Sequence, residues 1–135
     1  HVGAMTVITD WQADYGLPGD VVKGACAMSG VFDLDALILS ESGPNDALGM
    51  DRAEALRNSP LNHLPDKSCP LIVGFGEPEL EEFKRQSRGF ADAWRDAGLE
   101  VTVIEVPGAH HFAMSRKIHN PESEIFRAVT EMIGA

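Results

Sequence analysis

Two stretches of the chain carry residue types that could do chemistry together. Pro107-Gly108-Ala109-His110-His111-Phe112 sets two adjacent histidines on a Gly-containing turn, directly after the β-like run Val101-Thr102-Val103-Ile104-Glu105-Val106. About thirty residues upstream, an apolar run ends in Gly76-Glu77-Pro78-Glu79, which offers two carboxylates. Loops at the carboxyl ends of strands are where open α/β sheets place their ligands. Histidine titrates near neutrality and so suits proton transfer. A carboxylate beside it would hold the ring in one tautomer, and a hydroxyl or thiol within its reach would complete an acyl-transfer relay. A nucleophile is the harder part to find. Ser29 stands at a strand end and Cys26 within the strand, but neither lies on a Gly-x-Ser-x-Gly turn that would expose it.

Other chemistries find less support. His63, His110, His111 and His119 lack the ligand spacing of a zinc site, and adjacent histidines rarely chelate one ion, so no metal is expected. The glycines are turn glycines, with neither a P-loop nor a dinucleotide fingerprint, so no cofactor is expected.

The elements that must position these loops follow from periodicity and turn chemistry. Residues 1–11 read as an apolar half-helix without an N-terminal cap, as if the chain were cut inside a structural element. A loop at 14–20 contains Gly16, Pro18 and Gly19. Residues 21–28 form a predicted strand, small and apolar enough to be covered on both faces. Residues 31–68 are too long for a simple crossover and read as an excursion of the kind that often covers a site. Within it a short helix is predicted at 33–40, a loop at 42–49, a helix at 51–57 capped by Asp51, and loops at 59–61 and 65–68. The run 70–76 is the clearest strand. Residues 81–97 are the clearest helix, with Phe83, Ser87, Phe90, Trp94 and Ala97 on one stripe and Gly98 as its stop. A strand at 99–106, the histidine loop and a helix at 122–133 complete the chain. Strands alternating with helices predict a parallel sheet with helices on both faces. Three strands are few for such a sheet, so an edge that invites homo-oligomer formation or edge-strand association is expected.

Composition bounds the function. With 135 residues, 44% hydrophobic and 24% charged, the chain suits one globular domain. A net charge of −10 argues against nucleic acid or an anionic membrane as partner. No apolar run approaches the roughly 20 residues that span a bilayer. Cys26 and Cys69 make no disulfide framework, and a reducing, cytoplasmic setting is expected.

Several of these stretches also resemble a known family. Ser29-Gly30-Val31-Phe32-Asp33-Leu34, Ser59-Pro60-Leu61, Glu82-Phe83-Lys84-Arg85-Gln86-Ser87 and His111-Phe112 are similar, in this order, to motifs of the α/β-hydrolases. The branch they resemble holds arylformamidase (kynurenine formamidase) and related small esterases. The resemblance covers nearly the whole chain and implies the carboxyl-terminal part of that fold. In this reading residues 1–135 are a single partial domain: three parallel strands with flanking helices, and residues 31–68 as a cap-like excursion between the first two strands. His111, before Phe112, matches the family's catalytic histidine. The family's acid lies four residues before the phenylalanine of the E-F motif, at Glu79, where most relatives carry Asp; Glu77 is the alternative. His1-Val2-Gly3-Ala4-Met5 resembles the segment just after the family's nucleophile elbow. The resemblance therefore implies a serine hydrolase of small esters or arylformamides, truncated ahead of its serine and oxyanion loop and inactive alone. Phe32 and His63, in the excursion, are candidates to line an acyl or aryl pocket. A non-catalytic half-hydrolase that binds or associates is the rival expectation.

Overall fold

The computed structural model describes residues 1–39, 43, 45–66 and 69–134. Ser40, Ser42, Lys67 and Ser68, assigned from sequence to a helix end and to loops, lie outside the described residues. The three predicted strands form one parallel sheet in the order β1 (Ala25–Met28), β2 (Leu71–Gly76), β3 (Val101–Val106). Ala25 lies beside Leu71, and Leu71 beside Val101, so the carboxyl ends of all three strands open on the same side.

The first strand is shorter than the predicted 21–28. The Ala25 N–H donates to the carbonyl of Pro70 at 3.1 Å, and proline has no N–H to continue the ladder. Helix-forming residues also take over part of the predicted loops. After α1 (Val2–Ile8) a second short helix, α2 (Trp11–Tyr15), is capped by Asp10, whose carboxylate accepts the N–H groups of Gln12 and Ala13. In the excursion, α3 (Asp35–Ile38) and α4 (Asn45–Leu48) precede α5 (Arg52–Asn58), so helix also occupies part of the predicted 42–49 loop. Asp51 caps α5 through a reciprocal box with Glu54, and the short 3₁₀ turn Pro60–Asn62 follows.

Alternation along β2 splits the core in two. Leu71 and Val73 point to one face, where Ala4 and Val7 of α1 meet Phe90, Ala91 and Trp94 of α6 (Glu81–Asp96). Ile72 points to the other, where Ile104, Val106, Met114 of α7 (His111–Lys117) and Ile125 of α8 (Glu124–Ile133) are buried. Every residue of β2 is buried, as its uninterrupted apolar run requires. The excursion is tied back to the end of β1 at both its ends. Gln86 Oε1 accepts the N–H groups of Phe32 and Asp33 at 2.7 and 2.8 Å. Ser59 Oγ accepts the Leu34 N–H at 2.8 Å, and Leu61 N–H donates to the Phe32 carbonyl at 3.0 Å. Among the described residues no helix is long and apolar enough to cross a membrane.

Candidate active site

The polar groups of interest converge at the carboxyl ends of the strands, and backbone geometry brings them there. β2 ends at Gly76, where a Cβ would overlap the carbonyl oxygen of Ala109. Only glycine lets the loop after β2 and the loop after β3 approach this closely. Ala109 itself is fully buried at this contact. Two further bonds tie the loops together. Glu77 N–H donates to the Val106 carbonyl at 3.0 Å, and the Glu77 carboxylate accepts the Gly108 N–H at 3.1 Å. Glu77 is thus occupied with holding the histidine turn, and it is Glu79 that faces the ring.

Glu79 stands just before α6, with its side chain fully removed from solvent, and Oε1 lies 3.2 Å from His111 Nδ1. His111 opens α7, a helix the sequence reading missed by treating residues 107–112 as loop ahead of a final helix. Its ring is sandwiched rather than loosely hung. Phe83, on the first turn of α6, stacks on it with centroids 4.4 Å apart and planes at 27°, and Phe112 meets it edge-on at 5.4 Å. An ionised carboxylate can only accept, so a neutral His111 bonded to it carries its proton on Nδ1. Nε2 then presents a lone pair, and it makes no hydrogen bond among the described residues. The ring keeps 41% of its side-chain exposure, enough to be reached from solvent.

A second donor meets the same carboxylate oxygen. Ser29, one residue past β1, gives its hydroxyl proton to Glu79 Oε1 at 2.6 Å, while its backbone N–H donates to the Gly74 carbonyl at 2.7 Å. Its φ of 47° makes it the one non-glycine residue with positive φ among those described. Such a backbone costs on the order of 1 kcal/mol and persists only where surrounding contacts over-determine it. Glu79 Oε2 is buried and without a partner among the described residues. Burying a carboxylate is expensive unless it is hydrogen-bonded, so the two donors on Oε1 carry that burden between them.

The structure does not bring the other sequence candidates to this place. Phe32, expected to line a pocket, is fully buried in the core, with its ring stacked on Phe90 at 4.4 Å, and offers no surface to a ligand. His63 hydrogen-bonds the Leu56 carbonyl and borders a groove of about 480 Å³ with Val22 and Cys69. Val22 and Cys69 precede β1 and β2, so that groove lies at the amino ends of the strands, a strand length of roughly 17 Å from the His111 end. His110 is the exposed N-cap of α7. The Cys26 thiol is pushed up to about 11 by burial, which leaves it protonated and a poor nucleophile near neutrality. No group of three or more His, Cys, Asp or Glu side chains placed to hold a metal ion occurs among the described residues.

Two contacts escaped the sequence reading. Phe83 falls on the apolar stripe of its helix and reads as core, and no pattern local to that helix marks its contact with His111, 28 positions away. Ser29 was weighed only as a nucleophile. The nearby Glu82 carboxylate, held below the usual range by the Arg85 guanidinium, also accepts the Gln86 side-chain N–H, and Gln86 in turn holds the loop after Ser29.

Known proteins resemble the chain in both sequence and fold. Kynurenine formamidase of Salmo salar is 30% identical over 140 residues, which take in 99% of this chain and 46% of that protein. Kynurenine formamidase of Danio rerio is likewise 30% identical, over 139 residues and 46% of its length. The chain thus spans about half the length of the curated relatives it matches. Among solved structures, an esterase from Thermogutta terrifontis with butyrate bound superposes with a TM-score of 0.59 at 20% identity, covering 97% of this chain and 49% of that one. At that identity the likeness is one of fold. No family model matches the chain. The chain thus has an α/β fold, three parallel strands with flanking helices, that it shares with about half of the esterase, and its sequence is similar to the carboxyl-terminal half of the formamidases.

Proposed function

We propose that this chain supplies the acid and the base of a serine hydrolase that cleaves a small ester or an arylformamide. The observation that carries the reading is the buried Glu79 carboxylate 3.2 Å from His111 Nδ1, at the carboxyl ends of the strands. In this reading His111 Nε2 takes the proton of a serine hydroxyl as it attacks the carbonyl and then passes it to the leaving oxygen or nitrogen. Glu79 holds the tautomer and stabilises the imidazolium formed in between. The nucleophilic serine and the oxyanion donors belong to residues other than these 135, which are therefore expected to be inert by themselves. The likeness to kynurenine formamidases supports the formamide, and the esterase fold is compatible with the ester. Cysteine usage, two in 135 residues, supports a cytoplasmic setting.

The test is hydrolysis of an activated aryl ester and of N-formylkynurenine by the protein that carries this segment, with His111→Ala and Glu79→Gln beside it. Loss of turnover in both variants is expected. Full activity in His111→Ala would overturn the assignment. Hydrolysis by the 135 residues alone, abolished in His111→Ala, would overturn the claim that the nucleophile lies elsewhere.

A further inference from the structure

Resting on the acid–histidine reading above, we propose that Ser29 is a positioning residue: its hydroxyl pins the carboxylate oxygen of Glu79 that His111 uses, and so sets the tautomer of the ring. Ser29 Oγ and His111 Nδ1 converge on one atom, Glu79 Oε1, at 2.6 and 3.2 Å, while Oε2 has no partner among the described residues. A glutamate has one more torsion than an aspartate, so its carboxylate must be held from outside to present a fixed oxygen. Of the two donors, Ser29 is the one carried by the sheet. Its N–H bonds the Gly74 carbonyl in continuation of the β1–β2 ladder, so its Oγ is placed by rigid backbone and not by a loose loop.

The backbone at position 29 says what the side chain is for. With φ at 47°, glycine would sit there without strain, and Gly30 follows immediately. A serine in this conformation offers one thing that glycine lacks, the hydroxyl, and that hydroxyl is spent on Glu79. The same bond separates Ser29 from the nucleophile's role. Its proton goes to the acid, and it lies on the Nδ1 side of the ring, away from the nitrogen that would receive a proton in acyl transfer.

The test is the tautomer ratio of the His111 imidazole, read by ¹⁵N NMR at a pH where the ring is neutral, in the protein carrying this segment. In the wild type the Nδ1–H form should dominate. Ser29→Gly relieves the backbone and removes only the hydroxyl. It should lower the Nδ1–H to Nε2–H ratio roughly tenfold, the weight of one hydrogen bond to a charged group. Turnover should fall by a similar factor with KM unchanged, and Ser29→Ala should behave alike. In a Glu79→Gln background, Ser29→Gly should have little further effect on turnover, because both act through one carboxylate. An unchanged ratio in Ser29→Gly, or equal losses with and without Glu79, would overturn the proposal and leave the acid–histidine pair standing. A ratio unmoved by Glu79→Gln would sink the pair itself, and Ser29's role with it.

Discussion

The two ends of this sheet differ in a way that separates concavity from chemistry. At the amino ends a groove of about 480 Å³ runs between α1, α2 and the segment before β2, bordered by Val7, Trp11, His63 and Cys69. It is roomy, but its histidine is engaged with a backbone carbonyl, and the acids that line it, Asp10 and Asp66, are exposed. The carboxyl ends carry the greater cost: a serine at positive φ, a carboxylate fully out of solvent, and two loops in contact that only a glycine permits. Strain and buried charge persist only where contacts hold them in place, and such features gather at functional sites. The histidine at this end has one nitrogen satisfied and one exposed edge.

The contrast can be broken first by removing its chemistry. His111→Ala should lower turnover of the protein carrying this segment by on the order of 10⁶, and Glu79→Gln by on the order of 10⁴, as for the members of other triads. Steady-state kinetics with an aryl ester checks both, and a loss below tenfold in either would erase the difference between the ends. Next comes the contact that assembles the site. Gly76→Ala would drive a Cβ into the Ala109 carbonyl, so about 2 kcal/mol or more of stability should be lost, visible as a lower urea midpoint. A silent substitution would mean that the two loops are not pressed together.

Cys26 probes the sheet between the two ends. Its thiol, ordinarily near 9.0, is raised to about 11 by desolvation. A raised thiol pKa favours the neutral form in the folded state, so the unfolded chain loses this proton first. The contribution to stability is full below pH 9 and is lost as pH rises towards 11. Alkylation by iodoacetamide should accordingly be slow at pH 8 and speed up only in that alkaline window. Fast alkylation at pH 8 would place Cys26 in a wetter environment. The smallest effect belongs to the amino end. His63→Ala should change turnover less than about twofold and stability by no more than about 0.5 kcal/mol, as expected of an exposed side chain outside a packed or charged network. A large loss of activity would show that the groove takes part after all.

Much of this could be read from residue order, and the reasons are local ones. The apolar run of β2, the stripe of α6 and the Asp51 cap each lie within one element, where period and capping chemistry decide the outcome. The approach of the Glu77–Glu79 loop to the histidine loop was legible because both follow strands of a parallel sheet, which brings them to one edge. What escaped depended on which element leaned on which. The strand at 21–28 lost its first half to Pro70, a residue more than forty positions away. Phe32 was placed in a pocket because it lies in the excursion, but the folded chain packs it against Phe90. His63 was drawn towards the site by the same reasoning and went to the opposite end.

The sequence by itself determined the parallel three-stranded sheet, its flanking helices and the meeting of two strand-end loops, one with Glu77 and Glu79, the other with His110 and His111. Periodicity and strand-end position carry that information along the chain. Only the tertiary structure decided that one oxygen of Glu79 serves both Ser29 and His111, that Phe83 stacks on the imidazole, and that Gly76 lets Ala109 close the gap. Those contacts join residues 28 to 50 positions apart, and ångström-scale distances between such partners are set by the packing of helices on a sheet, which no local pattern encodes.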